Sequence, residues 1–385
     1  MTVALVYNAR EEASPLASRN TDPTENPSAS LSPSSSFVGN TQGVSVVSSP
    51  VAAERVNDLY AEWDTMETVN AVRAAIEERH SVLMIEANED AFEMFRQRKF
   101  DFVFNIAEGL HGSSREAQVP AMLEMLRIPY LGSDPLTLAL CLDKSRAKEV
   151  LSHHEIPTAG FTVVHSADEL EDARVRFPSI VKPLHEGSSK GVYNSCVVRD
   201  TTELEREVNT VFDVYREPAL IEEFLPGREF TVALLGNGED VQMLPIVEIR
   251  FDSLPHGANP IYSYEAKWMW DSRDNPLQIF QCPAKLTDSL QTEIAKLCRT
   301  TYRVLRCRDW SRIDVRCDAR GQAHIIEVNP LPGILPKPED NSCFPKAARA
   351  AGMTYNQLIN RVLDISMQRC GLFSQETQTK RVNSN

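Results

Sequence analysis

The chain has 385 residues, a net charge of −14, 42% hydrophobic residues and 24% charged ones. These are values of a globular protein long enough to bury a large core across two or three units. The excess negative charge argues against a general nucleic-acid binder and against anionic membrane surfaces, and no apolar run reaches spanning length, so a cytoplasmic protein is expected.

Residues 1–7 read as a short buried strand, since they lack the basic lead of a signal peptide. Residues 11–50 are dense in Ser, Pro, Asn and Thr. They hold too few large apolar groups to offset their ordering entropy, so a disordered insertion is expected. A helix follows, with an apolar stripe of Met66, Val69, Val72 and Ile76. Then come a strand over 81–85, a helix over 90–98, a strand over 100–106 and a helix over 118–126. Strands alternating with helices predict a parallel, doubly wound sheet. Asp143-Lys144 opens another helix. From Phe161 the pattern turns to strands with hairpins, with helices from Ser289 and Tyr355, so α+β units follow an α/β unit. The last dozen residues, from about Ser374, read as a polar tail. The eight cysteines form no C-x-x-C pair and read as reduced thiols.

Phe177-Pro-Ser-Ile-Val-Lys-Pro183 is an apolar strand with one lysine, Lys182. The small-residue loop His185-Glu-Gly-Ser-Ser-Lys-Gly191 follows, then a strand-like run over 192–198. Such a loop can wrap phosphates with backbone N–H groups while Lys182 adds a fixed positive charge. Lying between strands, it would be a closing flap and not a Walker loop. An ordinary hairpin turn is the alternative. Residues 219–235 read as strand, turn at Pro226-Gly227, and strand. Their Glu222, Glu223 and Glu229, among apolar neighbours, suit an adenine amino group and ribose hydroxyls, or are solvated turn carboxylates.

Residues 311–329 read as a β-hairpin around Arg320-Gly321. With a two-residue loop, Asp314 sits opposite Glu327 and Arg312 opposite Asn329. Side chains two apart share a face. Arg312, Asp314, Glu327 and Asn329 therefore converge, with Ile313, Val315, Ile326 and Val328 on the other face. Two carboxylates, an amide oxygen and a guanidinium make a hard-oxygen Mg²⁺ site beside an anion clamp, which is equipment for phosphoryl chemistry. The alternative is the solvated face of an edge hairpin, but facing like charges repel without a cation.

In order, Lys144, Val181-Lys-Pro183 with Glu186-Gly-Ser-Ser189, Ile221-Glu-Glu-Phe-Leu-Pro-Gly-Arg-Glu229, Tyr264-Glu-Ala-Lys267, Arg312-Ile-Asp314 and Glu327-Val-Asn-Pro-Leu-Pro-Gly333 resemble the motifs of the D-alanine–D-alanine ligase family, part of the ATP-grasp superfamily. The resemblance runs over 102–365. It includes His111-Gly112, Ile128-Pro-Tyr-Leu-Gly-Ser133, Phe344-Pro-Lys-Ala-Ala348 and Ala351-Gly-Met-Thr-Tyr355. It implies a substrate-side α/β domain over 1–139, then a two-part ATP-grasp fold. The central subdomain would cover 140–221 with the phosphate flap, and the C-terminal one 222–373 with the metal site, before a disordered tail over 374–385. It also implies ATP-dependent joining of two small amino acids through an acyl phosphate, with ATP and Mg²⁺ (or Mn²⁺), in peptidoglycan biosynthesis, and it allows a homodimer.

Carried over by motif, Lys144 and Lys182 would hold ATP phosphates beneath the loop of Glu186, Gly187, Ser188 and Ser189. Glu222 and Glu229 would contact adenine and ribose, and the backbone at Glu223 and Leu225 would read the adenine edge. Asp314, Glu327 and Asn329 would bind metal. Arg312 and the N–H of Gly333 would stabilise the oxyanion, with Ser188 and Lys267 closing over the reaction. His111, Tyr262, Trp268 and Ser342 would face the substrates.

Three departures bear on the first substrate. The family's first strand leads to a glutamate that holds the first amine. Here Glu11 and Glu12 are the substitutes at hand, and neither aligns well. After His111-Gly112 comes Ser113-Ser-Arg-Glu-Ala-Gln118, a residue short and carrying Arg115. Trp268 replaces a tyrosine whose hydroxyl would join a serine–glutamate network, and indole has one N–H donor and no acceptor. An ATP-grasp ligase joining other amino or hydroxy acids in a specialised pathway is therefore the competing expectation. A non-catalytic nucleotide-binding relative and a metal-dependent phosphohydrolase explain fewer of these residues.

Overall fold

The computed structural model describes residues 1–10, 58, 61–271 and 277–372. The insertion expected over 11–50, with Glu11 and Glu12, and the tail expected from Ser374 lie outside the described residues.

The N-terminal sheet is parallel. β1 (Thr2–Tyr7) is its central strand. Beyond it β2 (Ala9–Arg10) pairs in parallel with β3 (Asp64–Thr65). β4 (Ser81–Glu86) and β5 (Phe102–Asn105) flank β1 in the order β4-β1-β5. Val3 and Leu5 face one core, with Val69, Val72 and Ile76. Ala4 and Val6 face another, with Phe95, Phe100 and Leu123. A strand covered on both faces is apolar along its whole length, which is why β1 shows no alternation. The helix Met66–Glu77 opens at Thr65, whose side chain accepts the N–H of Thr68. Met66 of the expected stripe stands exposed in its first turn.

The next unit is an antiparallel sheet of β6 (Phe161–Val164), β7 (Ser179–Pro183), β8 (Val197–Val198) and β9 (Ala219–Glu223), ordered β6-β9-β7-β8. Of the strand-like run over 192–198, only β8 pairs, because Asn194–Cys196 forms a 3₁₀ turn. The helix Lys144–His153 opens at Asp143, whose carboxylate accepts the N–H groups of Ser145 and Arg146. The sequence pattern does not reveal the helix before it, Pro135–Leu142, because it is too apolar all round to show a stripe. Its cap Asp134 and first residue Pro135 are start signals all the same.

β10 (Glu229–Leu235), β11 (Gln242–Met243), β12 (Val247–Ile249), β13 (Phe280–Gln281), β14 (Trp310–Cys317) and β15 (Ala323–Asn329) form the third sheet, ordered β13-β12-β10-β14-β15 with β11 also on β10. Residues 224–228 carry the chain from the second sheet to the third. The division expected at 221/222 falls inside β9, which belongs wholly to the second sheet.

The β14–β15 hairpin differs from expectation in two ways that cancel. Its loop has three residues, 319–321: Asp318 donates to Gln322, and Gly321 sits at φ 80°. A β-bulge then shifts the register beyond Asp314, so Val315 pairs with Ile325. Asp314 still faces Glu327, and Arg312 faces Asn329. The bulge falls where another segment takes both backbone groups of Ile325. Its N–H goes to the Pro157 carbonyl, and its carbonyl to the Thr158 hydroxyl. Ile325, not Ile326, thereby occupies the core face.

One buried carboxylate joins the units. Asp309 accepts the Gly132 N–H at 2.8 Å, the Asn237 amide at 2.9 Å and two Arg369 nitrogens at 2.8 Å each. Arg369, at the end of the helix Tyr355–Arg369, also donates to the Tyr130 carbonyl. Removing one partner of a buried pair strands the other charge, at roughly 3–5 kcal/mol. Asp309→Ala should therefore lower the midpoints of thermal and urea unfolding, followed by circular dichroism, while Asp252→Ala at an exposed pair should leave both near wild type.

Candidate active site

One cleft gathers every residue expected at the site except His111. His111 is exposed, in the turn where Gly112 sits at φ 92°, and its carbonyl accepts from Gln118. The same segment instead delivers Glu116 to the cleft and buries Arg115 behind it. The bulge turns Ile326 into the cleft as well.

The charged floor is a set of matched ions. Glu222 is buried between Lys148 and Lys182. Burial alone would raise its carboxyl pKa, but the two ammonium groups hold it down at about 2. Its side chain is thus the holder of Lys182 and not a free acceptor for an adenine amino group. Lys148 also donates to Thr158, the residue that holds Ile325. Lys144 stands 3.3 Å from Glu327 and donates to the Glu186 carbonyl. Arg312 binds Asp314 through two nitrogens, at 3.1 and 2.9 Å. Sequence reasoning passed over Lys148, and nothing in the chain marks it beyond its place on an otherwise polar helix.

Beside this floor, the segment after β9 offers backbone groups. The N–H of Glu223 goes to Gly160 and that of Phe224 to Pro178, whereas Leu225 N–H has no protein acceptor among the described residues. Arg316 organises this edge. It donates to the Leu225 carbonyl, pairs with Glu229 at 2.6 Å and lies 4.8 Å over the Phe224 ring. Gly333 N–H likewise has no protein acceptor among the described residues. Ser342 accepts from Leu335 N–H and donates to the Gly333 carbonyl, each at 3.2 Å.

The loop over 185–191 roofs the cleft. Ser188 and Ser189 both take positive φ, at 51° and 61°, a conformation costing roughly 1–3 kcal/mol per residue. Neighbours hold them there. Trp268 donates its indole N–H to the Ser188 carbonyl at 3.2 Å, and Ser189 donates to the Tyr262 carbonyl at 2.8 Å. Gly191 packs so closely on Pro183 that a Cβ would lie 2.3 Å from its ring.

Glu62 is a second residue that the sequence does not single out. It stands just before the helix cap Thr65 and lines the cleft. It accepts the Gly187 N–H at 2.6 Å and binds Arg115 through both oxygens at 2.7 Å, and Arg115 also reaches Glu186 at 3.1 Å. The only clue in the chain is a carboxylate immediately ahead of a helix start. Asp64, Glu108 and Glu116 line the same wall. Burial pushes Asp64 up to about 7, against the pull of Arg10. Burial and then Glu62 push Glu116 up to about 8. Burial, with Arg312 adding to it, brings Lys267 down to about 8.

Among the described residues no three His, Cys, Asp or Glu side chains come together to hold a cation unaided. Asp314 and Glu327 with the Asn329 amide are a partial set of hard oxygens, which suits a Mg²⁺ ion that also carries phosphate oxygens.

Comparison with known proteins places these residues in context. The family model described as D-ala D-ala ligase C-terminus matches residues 150–364. An uncharacterized protein of Sinorhizobium fredii is 35% identical over 316 residues, covering 80% of this chain and 89% of the relative. The D-alanine–D-alanine ligase of Pelotomaculum thermopropionicum is 30% identical over 319 residues, covering 80% and 93%. The crystal structure of D-alanine–D-alanine ligase from Bacillus anthracis complexed with ATP has a TM-score of 0.62 at 22% identity, covering 96% of this chain and 98% of that one.

The roof titrates through His185. Burial opposes its protonation, but Asp143 at 3.6 Å and Glu217 at 3.4 Å outweigh that and raise it from 6.5 to about 9. A raised histidine stabilises fully below its unfolded value and loses that contribution as pH rises through the folded one. Melting temperature should therefore fall as pH rises from about 6.5 through 9, and His185→Gln should flatten this dependence. Equal slopes in the two proteins would exclude the mooring.

Proposed function

The chain belongs to the D-alanine–D-alanine ligase family, and on that premise we propose that it joins two small amino acids by ATP-dependent carboxylate–amine ligation. The observation that carries this reading is the meeting of three groups in one cleft: Lys144 and Lys182 with their carboxylates, the pair Asp314 and Glu327, and Arg312 with the N–H of Gly333, which has no protein acceptor among the described residues.

ATP would lie with its phosphates beneath the loop over 185–191, facing Lys144 and Lys182. Glu222 and Glu327 keep those ammonium groups charged and in place. The adenine edge would meet the backbone at Leu225, and Glu229 would take the ribose, positioned by Arg316. Asp314, Glu327 and Asn329 would hold Mg²⁺, which supplies charge neutralisation on the phosphates. A carboxylate oxygen of the first substrate attacks the γ-phosphorus, the bond to the β,γ-bridging oxygen breaks, and ADP and an acyl phosphate form. The second substrate's amine, having lost a proton, attacks the carbonyl carbon. The carbon–oxygen bond to phosphate then breaks, and phosphate leaves. Arg312 and Gly333 N–H would receive the oxyanion, each donor contributing about 3–4 kcal/mol. Trp268 and Ser189 hold the roof that excludes water.

D-Alanine at both positions, as in cell-wall dipeptide synthesis, is the plainest form of this reading. A different amino or hydroxy acid at the first position is favoured by one observation: Glu62, a carboxylate on the cleft wall, is already bound to Arg115 and Gly187 and so is not free to hold a first-substrate amine.

Phosphate release from ATP with Mg²⁺, measured across D- and L-amino acids and D-lactate, tests the assignment. Asp314→Asn and Glu327→Gln should each abolish turnover, and each should also lower the melting temperature, because Arg312 or Lys144 loses its charged partner, so circular dichroism at the assay temperature checks that the variant is folded. Arg312→Gln should lower kcat by roughly 10²–10³-fold. Near-normal Mg²⁺-dependent turnover in either carboxylate variant would exclude the metal assignment. Trp268→Tyr should shift relative kcat/KM among first-position substrates more than among second-position ones, read with the other position saturated.

A further inference from the structure

A second groove lies apart from the cleft and shares no lining residue with it. It has a volume of about 1070 Å³ and runs along one stripe of the helix Asp288–Val304. Its cations are Lys296, Arg299, Arg303, Arg306, Arg308 and Arg369, against two acids, Glu239 and Asp288. In a chain of net charge −14 this is a local reversal of sign. Val241 and Met243, with the buried Tyr302 and Cys307, give the groove an apolar wall. Low-dielectric walls focus the field of the charges above them.

The cations are of two kinds. Arg308 and Arg369 are fixed in place, by Asp134 at 2.6 Å and Asp309 at 2.8 Å. The Nη1 group of each still has no acceptor among the described residues. Lys296, Arg299, Arg303 and Arg306 make no side-chain hydrogen bond or ion pair with any described residue. Lys296, Arg299 and Arg303 recur at intervals of three and four, so their like charges are neighbours and repel. The helix dipole favours a cation in the last turn and accounts for Arg303. It does not account for Lys296 and Arg299 earlier in the helix, or for the cations beyond its end. A ligand that brings negative charge relieves the repulsion. Lys296 and Arg303 stand about 10 Å apart along the axis, so one carboxylate cannot serve both, whereas a run of phosphates can. Guanidinium forks match phosphate oxygens two at a time.

We propose that this groove is an anion site separate from the cleft and that it takes an oligophosphate, supplied as inorganic pyrophosphate or as the phosphate groups of a nucleotide. Such a site is independent of the ligase reading above. Arg369 and Asn237 line the groove, and both hold Asp309, the carboxylate that joins the units. A ligand bound there is therefore coupled to that joint and stabilises the folded chain.

The test is isothermal titration of the full chain with pyrophosphate and, separately, with ADP, in wild-type protein and in the double variant Arg299→Gln/Arg303→Gln. Both side chains are exposed and outside the cleft, so the unliganded variant should melt within about 2 °C of wild type. Wild-type protein should bind an equivalent of pyrophosphate that the variant loses or holds at least about tenfold more weakly. Lys296→Gln should weaken the same event to a smaller extent. The event should also weaken as salt rises, and pyrophosphate should raise the melting temperature of wild-type protein more than that of the double variant. An extra equivalent of ADP in wild-type protein, lost in the variant, identifies nucleotide phosphates as the source. Loss confined to pyrophosphate identifies the inorganic anion. Equal stoichiometry and affinity for both ligands in the two proteins would overturn the site, whether or not the cleft binds them. A wild-type dimer in sedimentation at low salt that the variant fails to form would overturn it as well, because the basic face would then be covered by the acidic surface of a second copy.

Discussion

Buried charges must be matched, and that constraint shapes the whole cleft. Glu222 is the clearest instance, enclosed by Lys148 from one helix and Lys182 from β7. Neither lysine would keep its charge so far from water without the carboxylate, and the carboxylate would not stay ionised without them. Lys148 reaches on to Thr158, and Thr158 to the Ile325 carbonyl. The ion set of the second sheet is therefore tied to the bulge of the third. That bulge restores the register which places Glu327 opposite Asp314. Charge placement and strand geometry in this protein depend on each other.

The roof is held through a residue that departs from the family's motif. Where the family places a tyrosine hydroxyl, this chain has an indole that can only donate, and the donor finds a backbone carbonyl at Ser188. The neighbouring backbone N–H, at Gly187, goes to Glu62. Two successive residues of the loop are thus gripped through main-chain atoms. Arg115 adds a charged strut from the first unit to Glu62 and Glu186. A departure that reads in the sequence as a lost hydroxyl supplies, in the folded molecule, an N–H donor to the roof.

Much of the site was legible because it rests on short-range rules. Alternation on β14 and β15 put Arg312, Asp314, Glu327 and Asn329 on one face, although the loop is a residue longer than expected and a bulge compensates for it. The lysine in β7 and the small-residue loop after it were equally plain. His111 was not, because its motif is a residue short here, and the turn at Gly112 leaves it in solvent while the residues after it turn inward. Glu62 was not legible for a different reason. It follows a long polar segment, and only the fold brings it back beside Gly187.

The sequence by itself determined most of the elements, most of their faces and the residue types at the reaction centre, since periodicity, caps and turns act over a few residues. It also specified which groups could carry phosphoryl chemistry. Tertiary structure alone decided the partners of the charges: Glu222 with two lysines, Arg115 with Glu62 and Glu186, Arg316 with Glu229 and Leu225. The physical reason is range. An ion pair joins residues remote in the chain, and its strength depends on a burial that no local pattern encodes.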